Sequence, residues 1–390
     1  MKNKTKLLLR DAFFSTILSS IIVLLLVLVF FNLRWFNPIH KAFYDFSFLD
    51  VFYSEKFLEP DKINTDIVLV NAGKDREQIV ELLDKIIEAE PKVIGVDIIF
   101  KDKKKDVYVD SVLAALLKKD NIIASYEIDK KSIIPNHPYF GNSKSGFVNF
   151  NFDSTTVVRE FQGYIKMDGM ERASFGVQVS KNYLEDKWND FDYDRKLRRL
   201  QAVKYSGKYD SFLYLEYDDF NAYKKKKILK DKIVILGYLG SPTGSEFDIE
   251  DKSFTPLNKY SVGKSVPDMF GTTLHANIIN MLIKNNFMVT ISNTWLVIIT
   301  FLCMYLSTLF YMKINRKYKI SFRTRKRTFQ FFISLFVIFL SFWLFKLNVV
   351  LKPTIIIVGI ILAGSYFKYY KHLTRYLKSK TNKKWKTYLK

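Results

Sequence analysis

The sequence predicts an α/β domain with a mostly parallel central sheet, carried by four transmembrane α-helices, and three observations predict it. First, residues 66–100 read as strand, helix, strand: Asp66-Ile-Val-Leu-Val-Asn-Ala-Gly73, then residues 75–90, then Pro91-Lys-Val-Ile-Gly-Val-Asp-Ile-Ile-Phe100. Both apolar runs are nearly continuous instead of alternating, as in parallel strands covered on both faces. Second, four apolar runs are long enough to cross a hydrocarbon core, residues 13–31, 295–312, 328–345 and 349–367, the last with only Lys352 near its start. Third, short basic patches alternate with those runs.

The charge pattern sets the topology. Of the net charge of +22, residues 1–10 supply four Lys/Arg, residues 313–328 eight and residues 368–390 nine, and none of the 39 acids lies in these patches. Residues 34–288 hold 38 basic and 38 acidic residues, so the large middle region is neutral and a nucleic-acid partner loses its main support. Placing the three patches in the cytoplasm satisfies the positive-inside rule. The expected organisation is then a cytoplasmic start and first span over 1–33 and an exported domain over 34–290. Three spans follow over 291–367, with the basic loop 313–328 inside, and a basic cytoplasmic tail runs over 368–390. The expected location is a bacterial cytoplasmic membrane. The first run reads as an uncleaved anchor, because Asn32-Leu-Arg-Trp-Phe-Asn-Pro38 offers no small-x-small cleavage site. Cys303, the only cysteine, lies in the second run, so the exported domain must be held by its core.

Along the chain, the aromatic residues 34–63 predict one or two membrane-proximal helices. Ile79, Leu82, Leu83, Ile86 and Ile87 fall at helical spacing between the first two strands, with Asp75 opening that helix and Pro91 closing it. Residues 101–106 read as a solvated loop, Val109 to Leu117 as a second helix and residues 121–126 as a third strand. Strands are expected at 146–150 and 160–167 around a turn at 153–155, a helix at 171–183 and a strand at 201–205. A buried strand ends at Gly237, a Gly- and Ser-bearing loop spans 237–256 with 237–244 read as a flexible surface loop, and a helix runs over 268–285 almost directly into the second span.

The order of these pieces resembles the extracytoplasmic CHASE domain, type two, over about residues 40–288. The residues that carry the resemblance are Asp66-Ile-Val-Leu-Val70, Lys92-Val-Ile-Gly-Val-Asp-Ile-Ile-Phe100, Gly146-Phe-Val-Asn149, Val157-Val-Arg159 and Lys204-Tyr-Ser-Gly207. Leu229-Lys-Asp-Lys-Ile-Val-Ile-Leu-Gly237, Asp248, Thr255-Pro256 and the stretch ending His275-Ala-Asn277 complete the series. Two positions depart from the pattern: Asn71-Ala-Gly73 stands where an acid is expected, and Ser206 where an Arg is common. The resemblance implies a sensory domain. Only 23 residues follow Phe367, where such proteins usually carry a cyclase, kinase or phosphodiesterase, which implies a sensor acting through a separate partner.

Asn71, Asp97, Asp248, His275 and Asn277 are the candidate ligand-binding residues, since the topology can bring them to the carboxyl edge of the sheet. With their carboxylates and neutral imidazole as hard donors, Asp97, Asp248 and His275 read as part of a ligand or metal pocket. The plainer reading makes Asp97 an acceptor of backbone bonds at a strand end, His275 part of a helix face and Asn277 a loop fastener. No metal site, cofactor or catalytic residue is assigned, because no nucleophile with a base partner, phosphate loop or metal-ligand spacing is present. Leu274, Ile278 and Met281 on one helix face, with Trp295 at the start of the second span, are the candidate signal-transmission residues. The spans carry no ionisable residue at mid-membrane, which reads as anchoring and not as transport. Gly359 and Ala363 allow close helix contact and leave a homodimer open. The expected partners are the lipid bilayer, an extracytoplasmic ligand and an effector protein in the membrane or cytoplasm. A structural scaffold of an envelope complex is the alternative, and an exported hydrolase using Asp97, Asp248 and His275 a more distant one.

Overall fold

The computed structural model describes residues 2–32, 50, 52–53, 63–72, 75–104, 107–129, 132–141, 144–150, 157–222, 226–258, 266–318, 320–381 and 386–389. The chain forms two compact units, Met1–Phe43 with Val289–Lys390, and Tyr44–Met288. Helix α1 (Lys2–Asn32) opens the first of them.

The second unit begins with β1 (Asn64–Asn71). Helix α2 (Arg76–Glu88) follows, with Asp75 as its N-cap accepting from the Glu77 amide at 3.3 Å and Ile79, Leu82, Leu83 and Ile86 buried. Then come β2 (Val93–Asp97), α3 (Val107–Leu117), β3 (Ile122–Asp129), β4 (Ser132–Ile134) and β5 (Ser145–Phe147). Helix α4 (Phe175–Leu184), β6 (Phe212–Leu215), β7 (Ile233–Gly237) and α5 (Gly271–Ile283) complete the framework.

The seven strands form one sheet in the order β6-β1-β7-β2-β3-β4, with β5 beside β3. Every pairing is parallel except the β3–β4 hairpin. The two faces are filled by alternate residues of the same strands. Val68, Val70, Ile94, Val96, Val234 and Leu236 pack with Leu82 and Leu83 of α2 and Leu113 and Leu117 of α3. Ile67, Leu69, Val93, Ile233 and Ile235 pack with Phe175 and Val179 of α4 and Ala276 and Ile279 of α5. A sheet covered twice explains the continuous apolar runs, and each such side chain contributes roughly 1.5–3 kcal/mol on burial.

Several expectations need correction. The strand expected at 160–167 is two strands, Glu160–Phe161 and Tyr164–Met167. The helix expected from 171 starts at Phe175, because Met170–Ala173 pairs back on Tyr164–Met167 across a turn at Asp168 and Gly169. Both turn residues have positive φ, 51° and 76°, the conformation of an Asp-Gly hairpin turn. Of the expected strand 201–205 only Gln201–Ala202 is strand, paired with Glu160–Phe161, and the Val203 amide extends the contact to the Arg159 carbonyl at 2.9 Å. The edge strand β6 was not expected at all. Of the membrane-proximal helices expected over 34–63, all but residues 50, 52–53 and 63 lie outside the described residues, as does the turn at 153–155.

The first unit holds α1 with α6 (Asn293–Lys317), α7 (Phe322–Lys346) and α8 (Pro353–Lys380). All four are long and apolar enough to cross a membrane, so the chain is a multi-pass membrane protein. The close helix contact expected at Gly359 and Ala363 is made within the chain. A methyl group on Gly359 would stand 2.8 Å from Thr300 Cγ2 of α6, and Ala363 is fully buried.

Candidate functional site

The site grows from three strand ends. Asn71 of β1, Gly237 of β7 and Asp97 of β2 stand side by side in register at the carboxyl edge of the sheet. The first turns of α5 are set against this edge: the Thr272 hydroxyl donates to Asp97 Oδ2 at 2.8 Å, and His275 Nε2 lies 3.8 Å from Asp97 Oδ1. This approach requires glycine at 237, because a Cβ there would stand 2.2 Å from Thr272 Oγ1.

His275 is enclosed by the rings of Phe150 and Phe175, with centroids at 4.7 and 5.0 Å. Burial pushes its imidazole down to about 3, so it is neutral, and its Nδ1 makes no hydrogen bond among the described residues. Asp97 is pushed up to about 6 by burial, against the opposing pull of the Thr272 hydroxyl. A second carboxylate joins it. The Gly271 amide donates to the Asp251 carbonyl at 3.0 Å, and a methyl on Gly271 would lie 3.3 Å from Asp251 Oδ2, which sets that carboxylate over the start of α5. Although Asp251 keeps an exposed edge, the surrounding protein, and then Asp97 and Glu250, push it up to about 7. The two carboxyl groups, shifted towards neutral pH, can gain or lose a proton there, while the imidazole stays neutral, and all three can accept hydrogen bonds from a polar ligand. Among the described residues, no group of three or more His, Cys, Asp and Glu is placed to hold a metal ion.

The other candidates take different partners. Asn71 fastens the loop after β7, donating to the Gly240 carbonyl at 2.8 Å and Thr243 Oγ1 at 2.7 Å and accepting from the Leu239 amide at 3.1 Å. The segment expected to be a flexible loop is thus tied to the sheet. Asp248 accepts within the same loop, from the Tyr238 hydroxyl and from the Ser241 and Glu250 amides at 3.2 and 3.1 Å. Asn277 is fully buried and clamps the Lys204-Tyr-Ser-Gly207 segment, accepting from the Ser206 amide at 2.7 Å and donating to the Gly207 carbonyl at 3.0 Å. Asn280 Nδ2 adds a bond to Ser206 Oγ at 2.7 Å. Leu274, Ile278 and Met281 are buried in α5, while Trp295 belongs to the membrane unit and is exposed.

The structure thus brings Asp97 and His275 together and adds Thr272 and Asp251, which the sequence reading missed. Thr272 had a signal, since it follows Gly271 at the start of a long apolar helix, where hydroxyl side chains serve strand ends and caps. Asp251 is one acid among several between 246 and 251, and nothing local ranks it above its neighbours.

A model of the CHASE2 domain matches residues 21–310 of the chain. No curated protein and no solved structure matches it.

Proposed function

The chain belongs to the CHASE2 domain family, a family of extracytoplasmic sensory domains, and from that premise we propose that it is a receptor that hands its signal to a separate effector. The observation that carries the proposal is the double position of α5. Its first turns hold Thr272 and His275 against Asp97, and after nine intervening residues, 284–292, the chain enters the membrane helix α6 at Asn293.

The α/β domain faces out of a bacterial cytoplasmic membrane in this reading, with the basic segments inside. An extracytoplasmic ligand binds at the strand ends by hydrogen bonding to Asp97 and Asp251. It acts by binding two arrangements of α5 with different affinity, which is the only way a ligand can shift such an equilibrium. Leu274, Ile278 and Met281 hold α5 in the core, and Trp295, near the start of α6, is the residue to which the change is passed.

A further contact supports transmission along this route. Tyr53, upstream of the sheet, accepts from the Tyr205 amide at 3.3 Å, and its hydroxyl lies 3.1 Å from Met288 Sδ and 3.4 Å from the Val203 carbonyl. Arg159 grips Asp50 through two bonds of 3.0 and 2.7 Å. The segment arriving from α1 and the segment leaving towards α6 are therefore strapped to the same part of the domain.

The test is a two-residue Gly-Ser insertion after Asn286 in the full chain, with the effector identified by pull-down in mild detergent. The insertion is expected to abolish signalling through the reconstituted effector while the domain, with the buried Phe287 and Met288 displaced, still unfolds cooperatively. Signalling that survives it overturns the coupling.

A further inference from the structure

Asp11 is the only acid among residues 1–43 and 289–390, and it is fully buried. A carboxylate at the end of a membrane helix is tolerated only when donors surround it. The Arg10 guanidinium donates to Oδ1 at 2.8 Å. The donors to Oδ2 come from the far end of the chain: the Thr387 hydroxyl and the Tyr388 amide, both at 2.6 Å.

The segment Lys386–Leu389 is bound like a peptide. The Lys386 carbonyl accepts from Arg10, and the Tyr388 carbonyl accepts from Arg316 at 3.2 Å, with that guanidinium 4.6 Å from the centre of the Tyr388 ring. Leu389 is buried in a cluster with Leu8 and Ala12 of α1, Met312 of α6 and Phe367 and Tyr370 of α8. Of the four residues only Leu389 is buried, whereas the groove beneath is built from three long helices that also contact one another directly.

We propose that this end of the bundle is a docking groove, that Lys386–Leu389 is its detachable plug, and that the exchanging occupant is a partner's segment of the same chemistry. That chemistry is a hydroxyl residue, an aromatic and an aliphatic flanked by lysines. Release of the plug strips Asp11 of two of its donors, so the groove favours exchange over vacancy and selects segments that return a hydroxyl and an amide to the carboxylate. The proposal rests on the receptor reading only in calling that partner the effector.

The experiment uses the full chain in nanodiscs of neutral lipid and a labelled peptide, Lys-Lys-Trp-Lys-Thr-Tyr-Leu-Lys, that copies residues 383–390. The Leu389→Asp chain is expected to bind it at least about tenfold more tightly than the original chain, and adding Asp11→Asn is expected to remove at least about tenfold, the scale of a hydrogen bond to a charged group. Equal binding to the original and Leu389→Asp chains, or binding indifferent to Asp11→Asn, overturns the proposal. A second measurement does not depend on either variant folding well. In a Cys303→Ser background, a Leu8→Cys, Leu389→Cys pair is expected to cross-link, and excess peptide is expected to suppress the cross-link; an unaffected yield overturns exchange. Exchange in a chain whose Gly-Ser insertion still signals would keep the groove and remove the receptor coupling.

Discussion

Replacing Asp97 by asparagine is expected to stabilise the domain at neutral pH, although it alters the centre of the site. The carboxyl is pushed from 3.8 up to about 6, so the folded chain holds that proton more tightly than the unfolded chain does. For an acid shifted upward, the folded state is penalised once the group must ionise: the cost is absent below the unfolded value, grows between about pH 4 and 6, and is complete above. A shift of this size corresponds to about 3 kcal/mol. Asparagine keeps an acceptor for the Thr272 hydroxyl but loses about 1 kcal/mol of charge-assisted bonding, which leaves a gain of about 2 kcal/mol at pH 7.5. For a domain of this size that is roughly 4–8 °C in Tm. The assay is thermal unfolding of Asp97→Asn and the original chain in detergent, followed by near-ultraviolet circular dichroism from pH 4 to 7.5. His275 has the opposite slope, since its folded value of about 3 makes stability rise with pH up to its unfolded value near 6.5. It is present in both chains and falls out of their difference to first order. The reasoning is refuted if the variant is the less stable chain at pH 7.5, or if the difference does not change with pH.

Other substitutions follow from the same geometry. Gly237→Ala drives a methyl into Thr272 Oγ1 and is expected to cost roughly 2–4 kcal/mol from overpacking and a lost hydrogen bond, read as a lower urea midpoint; an unchanged midpoint refutes the close approach of α5. Asp110→Ala leaves Arg76 without the carboxylate it contacts at 2.7 Å, and a loss of roughly 3–5 kcal/mol is expected in the same assay. Topology is tested in a Cys303→Ser background with a membrane-impermeant maleimide on intact cells. Met170→Cys in the hairpin is expected to label and Ile320→Cys between α6 and α7 is not, both positions being exposed; the reverse pattern refutes the assigned sides.

The parts of the fold legible in the sequence are those whose partners cover them evenly. Strands β1, β2, β3 and β7 are apolar on both faces and declare themselves without knowledge of the order in which they pair, and Asp75 marks the start of α2 by its side chain alone. The edge strand β6 is four residues long with Tyr214 partly exposed, so it has neither the continuous apolar run nor the length that mark a strand. The hairpin at Asp168-Gly169 did carry a local signal, which the helical spacing further along outweighed. In the site, Asp97 was legible because it ends a buried strand, and His275 because it is a lone imidazole in an apolar helix. Asp248 looked equivalent on sequence, yet the Tyr238 hydroxyl and two amides of its own loop claim it. What sets Asp251 over α5 is a backbone bond to Gly271, and backbone bonds between distant segments leave no trace in residue type.

Both neighbours of β1 come late: β7, which separates it from β2, begins at Ile233, and β6 at Phe212. During synthesis the first half of the domain therefore emerges with its founding strand open along both edges, a state in which apolar strands are prone to pair wrongly. Among the described residues, no strand upstream of Phe212 pairs with β1, and the entropy of holding so long a loop must be met before the pairing repays it. The domain is expected to mature in one late step, only after Gly237 has left the ribosome, and to depend until then on whatever chaperone shields the nascent chain at the membrane.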